Sequence, residues 1–335
     1  MKKTKKLLAC LIAAATMFTM GSTAFAETET APTDQKTVTI QKQYKLIGQG
    51  TSPAETFTLE QFGEGKVTDG DAENAPHLGT ITGATFAEGA ATVNGTIENI
   101  TVALPSYETV GVYEYTLKEV AGQNVGVDYY GKNIKLVVTV VNGDKGKLRI
   151  AAVHTEAENG KKSDTFENTY SANSLPVKKV VTGNLGDQDK LFNVTVTLTN
   201  NTGKTMASDI SYTAGGTENT IKASDWKDNT VTRTIQLKHN QTITFKNLPF
   251  GVEYVVTEDN YTGNNGGYDT PEYDYKNAAK KINVADQSVT ITNNKNSDNI
   301  DTGINLTTLP YILVFAGVIV IAGAAFITRR RKYED

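Results

Sequence analysis

Cysteine is nearly missing from this sequence: Cys10 is the only one among 335 residues. It lies in a segment typical of a secretory signal, with an apolar run over 7–20 and the small-x-small site Ala24-Phe25-Ala26. Four lysines precede the apolar run: Lys2, Lys3, Lys5 and Lys6. We therefore predict a signal peptide over 1–26 and a mature chain without cysteine. Disulfides are then excluded, so its cores or another kind of covalent bond must stabilise the exported protein.

Histidine is also scarce, and the common catalytic motifs are missing. The three histidines, His77, His154 and His239, have no cysteine or second histidine at metal-ligand spacing. No phosphate-binding Gly-x-x-x-x-Gly-Lys-Ser/Thr loop and no Gly-x-Ser-x-Gly nucleophile elbow occurs. We predict no metal, no cofactor and no enzymatic turnover.

Positive charge is in the minority once both ends are processed. Of the 33 basic residues, eight lie in the terminal segments, which leaves 25 in residues 27–302. Of the 37 acidic residues, two lie there, which leaves 35 and a net charge of −10. Nucleic acid and anionic membrane surfaces are therefore excluded as expected partners.

Helical periodicity is missing between the two ends, and an alternation of period two takes its place. Apolar and polar residues alternate over 134–140, 192–198, 231–237 and 242–245. Asn-Gly pairs at 94, 142, 159 and 265 supply turn signals between such segments. This pattern predicts an all-β chain of immunoglobulin-like β-sandwiches.

The chain contains an internal duplication of domain size. Val38-Thr39-Ile40-Gln41-Lys42 opens the first half and Leu175-Pro176-Val177-Lys178-Lys179 opens the second, with the two lysines 179 − 42 = 137 positions apart. We predict one sandwich over 27–172 and a second over 173–298. The boundary is placed near 171–174, as a short polar linker.

Each half directs one lysine, one glutamate and one asparagine toward its apolar interior. Residues of one parity share one face of a strand, and on that basis six residues share a face with apolar neighbours: Lys42, Glu119 and Asn168 in the first half, and Lys179, Glu258 and Asn293 in the second. Strand ends that reach the rim of the core would explain any single one of them. Agreement in the same order in both halves favours a shared chemistry.

Burial changes the protonation of the lysine and the glutamate, and this makes a reaction with the asparagine possible. It lowers the pKa of an amine and raises that of a carboxyl group, so a proton can pass from the lysine to the glutamate. A neutral amine can then attack the asparagine Cγ while the acid polarises the amide oxygen and shuttles protons, and ammonia leaves. The product would be a Lys–Asn isopeptide bond between an early strand and the last strand of the same sandwich.

The C-terminal residues 299–335 form a three-part signal. Asn299-Ile300-Asp301-Thr302-Gly303 is followed by an apolar span over 309–327, about 28 Å long as a helix, and by a basic tail over 328–335. This arrangement resembles the cell-wall sorting signal of Gram-positive surface proteins, in which a sortase cuts between Thr and Gly. Asn299-Ile300-Asp301 replaces the usual Leu-Pro-x, and which sortase accepts it stays open.

The duplicated sandwiches, the buried residues and the tail together resemble the FctA-type major pilins of Gram-positive bacteria. The closest stretches are 177–183, 247–259 and 310–312. The resemblance implies two isopeptide bonds, one from Lys42 to Asn168 and one from Lys179 to Asn293. It also implies that a lysine on the next subunit accepts the threonyl group of Thr302. Lys161 aligns with that acceptor, and its neighbour Lys162 is the rival.

The expected function is that of a structural shaft subunit in a covalent cell-surface pilus anchored to the cell wall. The expected partners are other copies of the chain, a pilus-class sortase, minor or tip pilins and peptidoglycan, with membrane contact only before sorting. Whether Thr302 ends on a subunit or on peptidoglycan stays open. The alternative is a wall-anchored adhesin or minor pilin that binds a host or microbial ligand.

Overall fold

The computed structural model describes residues 35–297 of the chain. Within this range the secondary structure is β-strand, apart from three short 3₁₀ turns at Asp144–Gly146, Ala223–Asp225 and Gly263–Asn265. The all-β prediction is confirmed. The predicted signal peptide and sorting signal lie outside the described residues. No helix of the described part is long and apolar enough to cross a membrane.

Twenty strands make up the described part. The first half contains β1 (Thr37–Gly48), β2 (Glu55–Phe57), β3 (Leu59–Gln61), β4 (Lys66–Gly70), β5 (Ile81–Thr82), β6 (Ala84–Phe86), β7 (Thr96–Ala103), β8 (Gly111–Glu119), β9 (Val127–Asp128), β10 (Ile134–Asn142) and β11 (Leu148–Ala157). A long strand, β12 (Thr165–Thr182), leads into the second half. That half contains β13 (Phe192–Thr199), β14 (Ile210–Ala214), β15 (Thr217–Ile221), β16 (Thr230–Leu237), β17 (Thr242–Pro249), β18 (Glu253–Glu258), β19 (Glu272–Tyr275) and β20 (Val289–Asn294).

Each half is a sandwich of two sheets around one apolar core. In the first, β12, β1, β7 and β5 pack against the sheet β11-β10-β8-β3, with β4 also paired to β8. In the second, β15-β14-β17-β12 with β20 and β19 packs against β16-β13-β18. The alternation seen in the sequence accounts for this packing, because every second residue of β13 is buried from Phe192 to Leu198.

Strand β12 belongs to both sandwiches. It pairs with β1 in parallel over 165–172 and with β20 in parallel over 177–182. Its register against β17 shifts between Asn173 and Leu175. Buried positions are therefore even-numbered up to Ala172 and odd-numbered from Leu175 onward. The predicted linker at 171–174 is wrong, because these residues are an irregularity within one continuous strand.

Side chains also join the two sandwiches beside β12. The Asn247 Oδ1 accepts hydrogen bonds from the Tyr170 hydroxyl at 3.0 Å and from the Thr51 backbone N–H at 2.9 Å. The Asn247 Nδ2 donates to the Asp209 carbonyl oxygen at 2.8 Å. Val125 of the first half is buried in the core of the second. The two halves are therefore connected by a shared strand and by buried contacts.

Candidate functional sites

The parallel strand pairs bring the predicted lysines and asparagines together with one common offset. Lys42 of β1 lies opposite Phe166 of β12, and Asn168 is two residues further along β12. Lys179 of β12 lies opposite Ile291 of β20, and Asn293 is two residues further along β20. Residues two apart on a strand point to the same face. Each pair therefore meets on the core side, between the first and last strands of its sandwich.

In the first site all three side chains are buried and in direct contact. Lys42 and Asn168 are each 1% exposed, and the side chain of Glu119, at the end of β8, is fully buried. The Lys42 Nζ donates to the Asn168 Oδ1 at 2.7 Å and forms an ion pair with the Glu119 Oε2. The Asn168 Nδ2 donates to the Glu119 Oε1 at 2.5 Å. The carboxyl group thus bridges the lysine nitrogen and the amide nitrogen.

A backbone N–H fixes the orientation of the Asn168 amide. Tyr130 donates its N–H to the Asn168 Oδ1 at 2.8 Å. The reversed amide would place a donor against this donor, so the oxygen must face Tyr130 and the nitrogen must face Glu119. From the sequence we expected the acid to polarise the amide oxygen. In the structure the Glu119 carboxyl group instead contacts the amide nitrogen. Sequence analysis also missed Tyr130, because only the pairing of β9 with β12 brings it to the site.

The second site contains the same residues in a looser arrangement. The side chains of Lys179 and Glu258 are fully buried and Asn293 is 1% exposed. The Lys179 Nζ donates to the Asn293 Oδ1 at 2.7 Å, as in the first site. The Glu258 Oε2 lies 3.7 Å from the Lys179 Nζ, and the Asn293 Nδ2 lies 3.5 Å from the Glu258 Oε1. Within the described residues no hydrogen bond satisfies the Glu258 Oε2.

Aromatic rings surround both amines and remove them from water. The Lys42 Nζ lies 5.4 Å from the ring centre of Phe57 and 5.5 Å from that of Tyr130. The Lys179 Nζ lies 4.3 Å from the ring centre of Phe192. Tyr261 and Tyr268, on either side of the turn signal at Asn265-Gly266, pack edge-on against Phe192.

The buried environment changes the proton affinities of these groups. Desolvation lowers the pKa of Lys42, and the neighbouring Glu119 carboxylate opposes that shift. Desolvation likewise lowers the pKa of Lys179 to about 8 and raises the pKa of Glu258 to about 7. The two values become close, so the state with a neutral amine and a carboxylic acid is accessible. A neutral amine beside an amide carbon is the arrangement that acyl transfer to nitrogen requires.

The other predicted site residues lie apart from these cores. Lys161 and Lys162 are exposed in the turn between β11 and β12, and no described hydrogen bond or ion pair holds either ammonium group. The Lys161 backbone is held by the Asn159 side chain, whose Oδ1 accepts its N–H at 3.1 Å, and by Ala157, whose N–H donates to its carbonyl oxygen at 2.8 Å. Thr302 and Gly303 lie outside the described residues.

Comparison with known protein families divides the chain near residue 172. Residues 17–171 match the FctA family, described as a Spy0128-like isopeptide containing domain, and residues 173–295 match a domain of unknown function. The chain is 29% identical over 243 residues to a pilin from Streptococcus pyogenes serotype M1, covering 68% of this chain and 69% of that protein.

Solved structures show the same architecture. The crystal structure of the major pilin from Streptococcus pyogenes superposes with a TM-score of 0.54 at 25% identity, covering 79% of this chain and 100% of that chain. The major pilin T3.2 from Streptococcus pyogenes superposes with a TM-score of 0.50 at 20% identity over 79% of this chain and 99% of its own, and supports the fold alone.

Each of the two all-β sandwiches has a buried lysine and asparagine on its first and last strands and a buried glutamate from the facing sheet, and the first of them matches a family of isopeptide-containing domains. Residues 17–171 match the FctA family and the chain is similar to major pilins over most of its length, which supports a pilus subunit of the FctA type.

Proposed function

We propose that this pilin is the repeating shaft subunit of a covalently polymerised pilus, stabilised by two self-formed Lys–Asn isopeptide bonds. The observation that carries the proposal is the common offset of the two pairs, each buried and each facing a buried glutamate at the end of a strand of the opposite sheet. The bonds would be Lys42–Asn168, assisted by Glu119, and Lys179–Asn293, assisted by Glu258.

The buried contacts supply each part of the reaction. The lysine transfers a proton to the glutamate, and the neutral Nζ attacks the asparagine Cγ. The carboxyl group then gives its proton to Nδ2 and takes one from Nζ, the carbonyl re-forms as the Cγ–Nδ2 bond breaks, and ammonia leaves. Each bond therefore removes ~17 Da, and the two together remove ~34 Da.

Polymerisation would join Thr302 of one subunit to Lys161 of the next through a pilus-class sortase. Lys161 is exposed in a turn only four residues before β12. The last described residue, Ser297, lies close to the predicted cleavage site, five residues before Thr302. With Lys179 joined to Asn293, the covalent path from Lys161 to Thr302 would cross from β12 to β20 and bypass residues 180–292.

The remaining assignments follow from this role. The chain would be exported, held in the membrane only until sorting, and then joined to further copies, to minor or tip pilins and finally to peptidoglycan. The exposed ammonium groups of Lys161 and Lys162 suit an acceptor, in contrast to the buried amines of Lys42 and Lys179.

Mass spectrometry of recombinant residues 27–302 tests the internal bonds. We expect a mass ~34 Da below that of the sequence, with two cross-linked peptides after digestion. The Asn168→Ala and Asn293→Ala variants should each lose one of these peptides. An unmodified wild-type mass would reject the bonds.

Immunoblots of cell-wall extracts boiled in SDS test polymerisation. Wild type should give a ladder of high-mass species, and Lys161→Ala should give the monomer alone, with Lys162→Ala as the matched control. A ladder that Lys161→Ala retains and Lys162→Ala loses would move the acceptor by one residue. A single wall-linked band in every strain would reject the shaft and favour an adhesin or minor pilin.

A further inference from the structure

We propose that the backbone N–H of Tyr130 is the oxyanion donor for isopeptide formation in the first sandwich, a group that the second sandwich does without. The inference rests on the proposed Lys42–Asn168 bond and assigns it a further catalytic group. Tyr130 donates to the Asn168 Oδ1 at 2.8 Å, on the oxygen that gains negative charge when the amine attacks.

The surrounding structure holds this donor in place from two sides. Strand β9 pairs with β12 at Thr169 and Tyr170, and the chain then runs past Asn168. The Tyr129 hydroxyl donates to the Glu55 Oε1 at 2.8 Å, and the Tyr130 ring packs edge-on against Phe166 at 5.1 Å. A donor held in this way needs no reorganisation when the charge appears, which is the condition for an effective oxyanion hole.

With this donor in place, Lys42, the Tyr130 N–H and Glu119 each have a separate role in the reaction at Asn168. The Nζ lone pair of Lys42 forms the new bond to Cγ, and the carbonyl electron pair moves to Oδ1, where the Tyr130 N–H stabilises it. Glu119 takes a proton from Nζ through Oε2 and gives a proton to Nδ2 through Oε1. The carbonyl re-forms, ammonia leaves, and Glu119 is again the neutral acid that the first proton transfer from Lys42 had made it.

The second site lacks an equivalent donor among the described residues. The neighbour of β20 there is β19, whose first paired residue, Glu272, lies opposite Thr292. Glu272 is the register counterpart of Tyr130, because continuing the β9 register places Tyr130 opposite Glu167, one residue before Asn168. The described hydrogen bonds to the Asn293 Oδ1 come from Lys179 alone. Among the described residues, no backbone N–H therefore stabilises the oxygen of that amide.

Replacing the Tyr130 peptide N–H with an ester oxygen tests this proposal without changing the side chain. The full chain is synthesised in vitro in mild detergent, with the α-hydroxy analogue of tyrosine at position 130. Samples are quenched over time, digested, and assayed for the Lys42–Asn168 and Lys179–Asn293 cross-links. The same analogue at Tyr129 removes a neighbouring N–H from an identical side chain and is the control.

We expect the ester at position 130 to slow the first cross-link on the order of 10²-fold, while the second cross-link and the Tyr129 control keep the wild-type rate. Equal rates for the first cross-link in all three proteins would overturn the role of Tyr130 and leave the proposed function standing. Slowing of both cross-links by the ester would indicate misfolding and also count against a specific donor. Absence of both cross-links in wild type would instead reject the proposed function.

Discussion

The two sandwiches carry the same three residues with the same strand offset, yet their sites differ in tightness. In the first, Glu119 contacts both reacting nitrogens and a backbone N–H holds the amide oxygen. In the second, Glu258 stands 3.7 Å from the amine and 3.5 Å from the amide nitrogen. The difference shows that register places the two reactants, whereas the acid is placed separately by another strand.

The two sites also differ in their position along the covalent path. If Lys161 is the acceptor, the Lys179–Asn293 bond lies on the path to Thr302, whereas the Lys42–Asn168 bond fastens β1 beside it. The tighter site therefore stabilises the sandwich that presents the acceptor, and the looser site would carry the tension between subunits.

Mechanical stretching should give the largest difference between the variants that lack one or the other bond. With handles at residues 161 and 302 of the chain 27–302, Asn293→Ala should release the 113 residues from 180 to 292, a contour length of roughly 370 to 400 Å. Asn168→Ala is the matched control and should add no such length. Single-molecule force spectroscopy measures both, and equal extension of the two variants would contradict the path.

Removing either bond should cost similar stability, because the loops they close have similar lengths. The residues that the proposed bonds would join are 126 and 114 positions apart, and a cross-link closing a loop of this size contributes ~5 kcal/mol in the chain-entropy model. We expect Asn168→Ala and Asn293→Ala each to lower the free energy of unfolding by about that amount in guanidinium titrations. The neighbouring substitution Asn294→Ala should have a much smaller effect.

The sole tryptophan allows the two halves to be followed separately in that titration. Trp226 packs against the second core, so its fluorescence should report Asn293→Ala more strongly than Asn168→Ala. Circular dichroism reports both halves. A fluorescence transition that moves equally in the two variants would show that the halves unfold as one unit through β12.

The first bond should form faster than the second, since only Glu119 contacts both nitrogens directly. Photocaged lysine at position 42 or 179 allows each reaction to be started by light and followed by loss of ~17 Da. We expect a rate ratio on the order of 10, and Glu119→Gln or Glu258→Gln should abolish the corresponding bond alone. A faster second bond would mean that contact distance does not limit the rate.

The smallest expected effect is the pH dependence of the second bond. In the reactive state, Glu258 and Lys179 together carry one proton. They do so at pH values between the Glu258 pKa of about 7 and the Lys179 pKa of about 8. Below that window both groups are protonated and the amine is not nucleophilic; above it the acid has lost its proton. The rate should therefore pass through a maximum near pH 7 to 8 and fall toward both sides. A rate that rises continuously with pH would exclude an acid role for Glu258.

Local rules were enough to predict much of this protein. The alternation of period two specified strands, and the parity of Lys42 and Lys179 specified which of their side chains turn inward, because a strand alternates its faces regardless of its partners. The duplication predicted two domains, and the structure has one apolar core of residues up to Ala172 and a second that consists of residues from Leu175 onward together with Val125.

Tertiary structure decided which groups those buried residues contact. The polar residues at 171–174 suggested a linker, whereas pairing with β17 makes this segment an irregularity within the continuous strand β12. The place of Tyr130 beside Asn168, and the different reach of Glu119 and Glu258, depend on strands far apart in the sequence. Parity is a property of one strand, but register and contact distance belong to pairs of strands, and only the folded chain brings those pairs together.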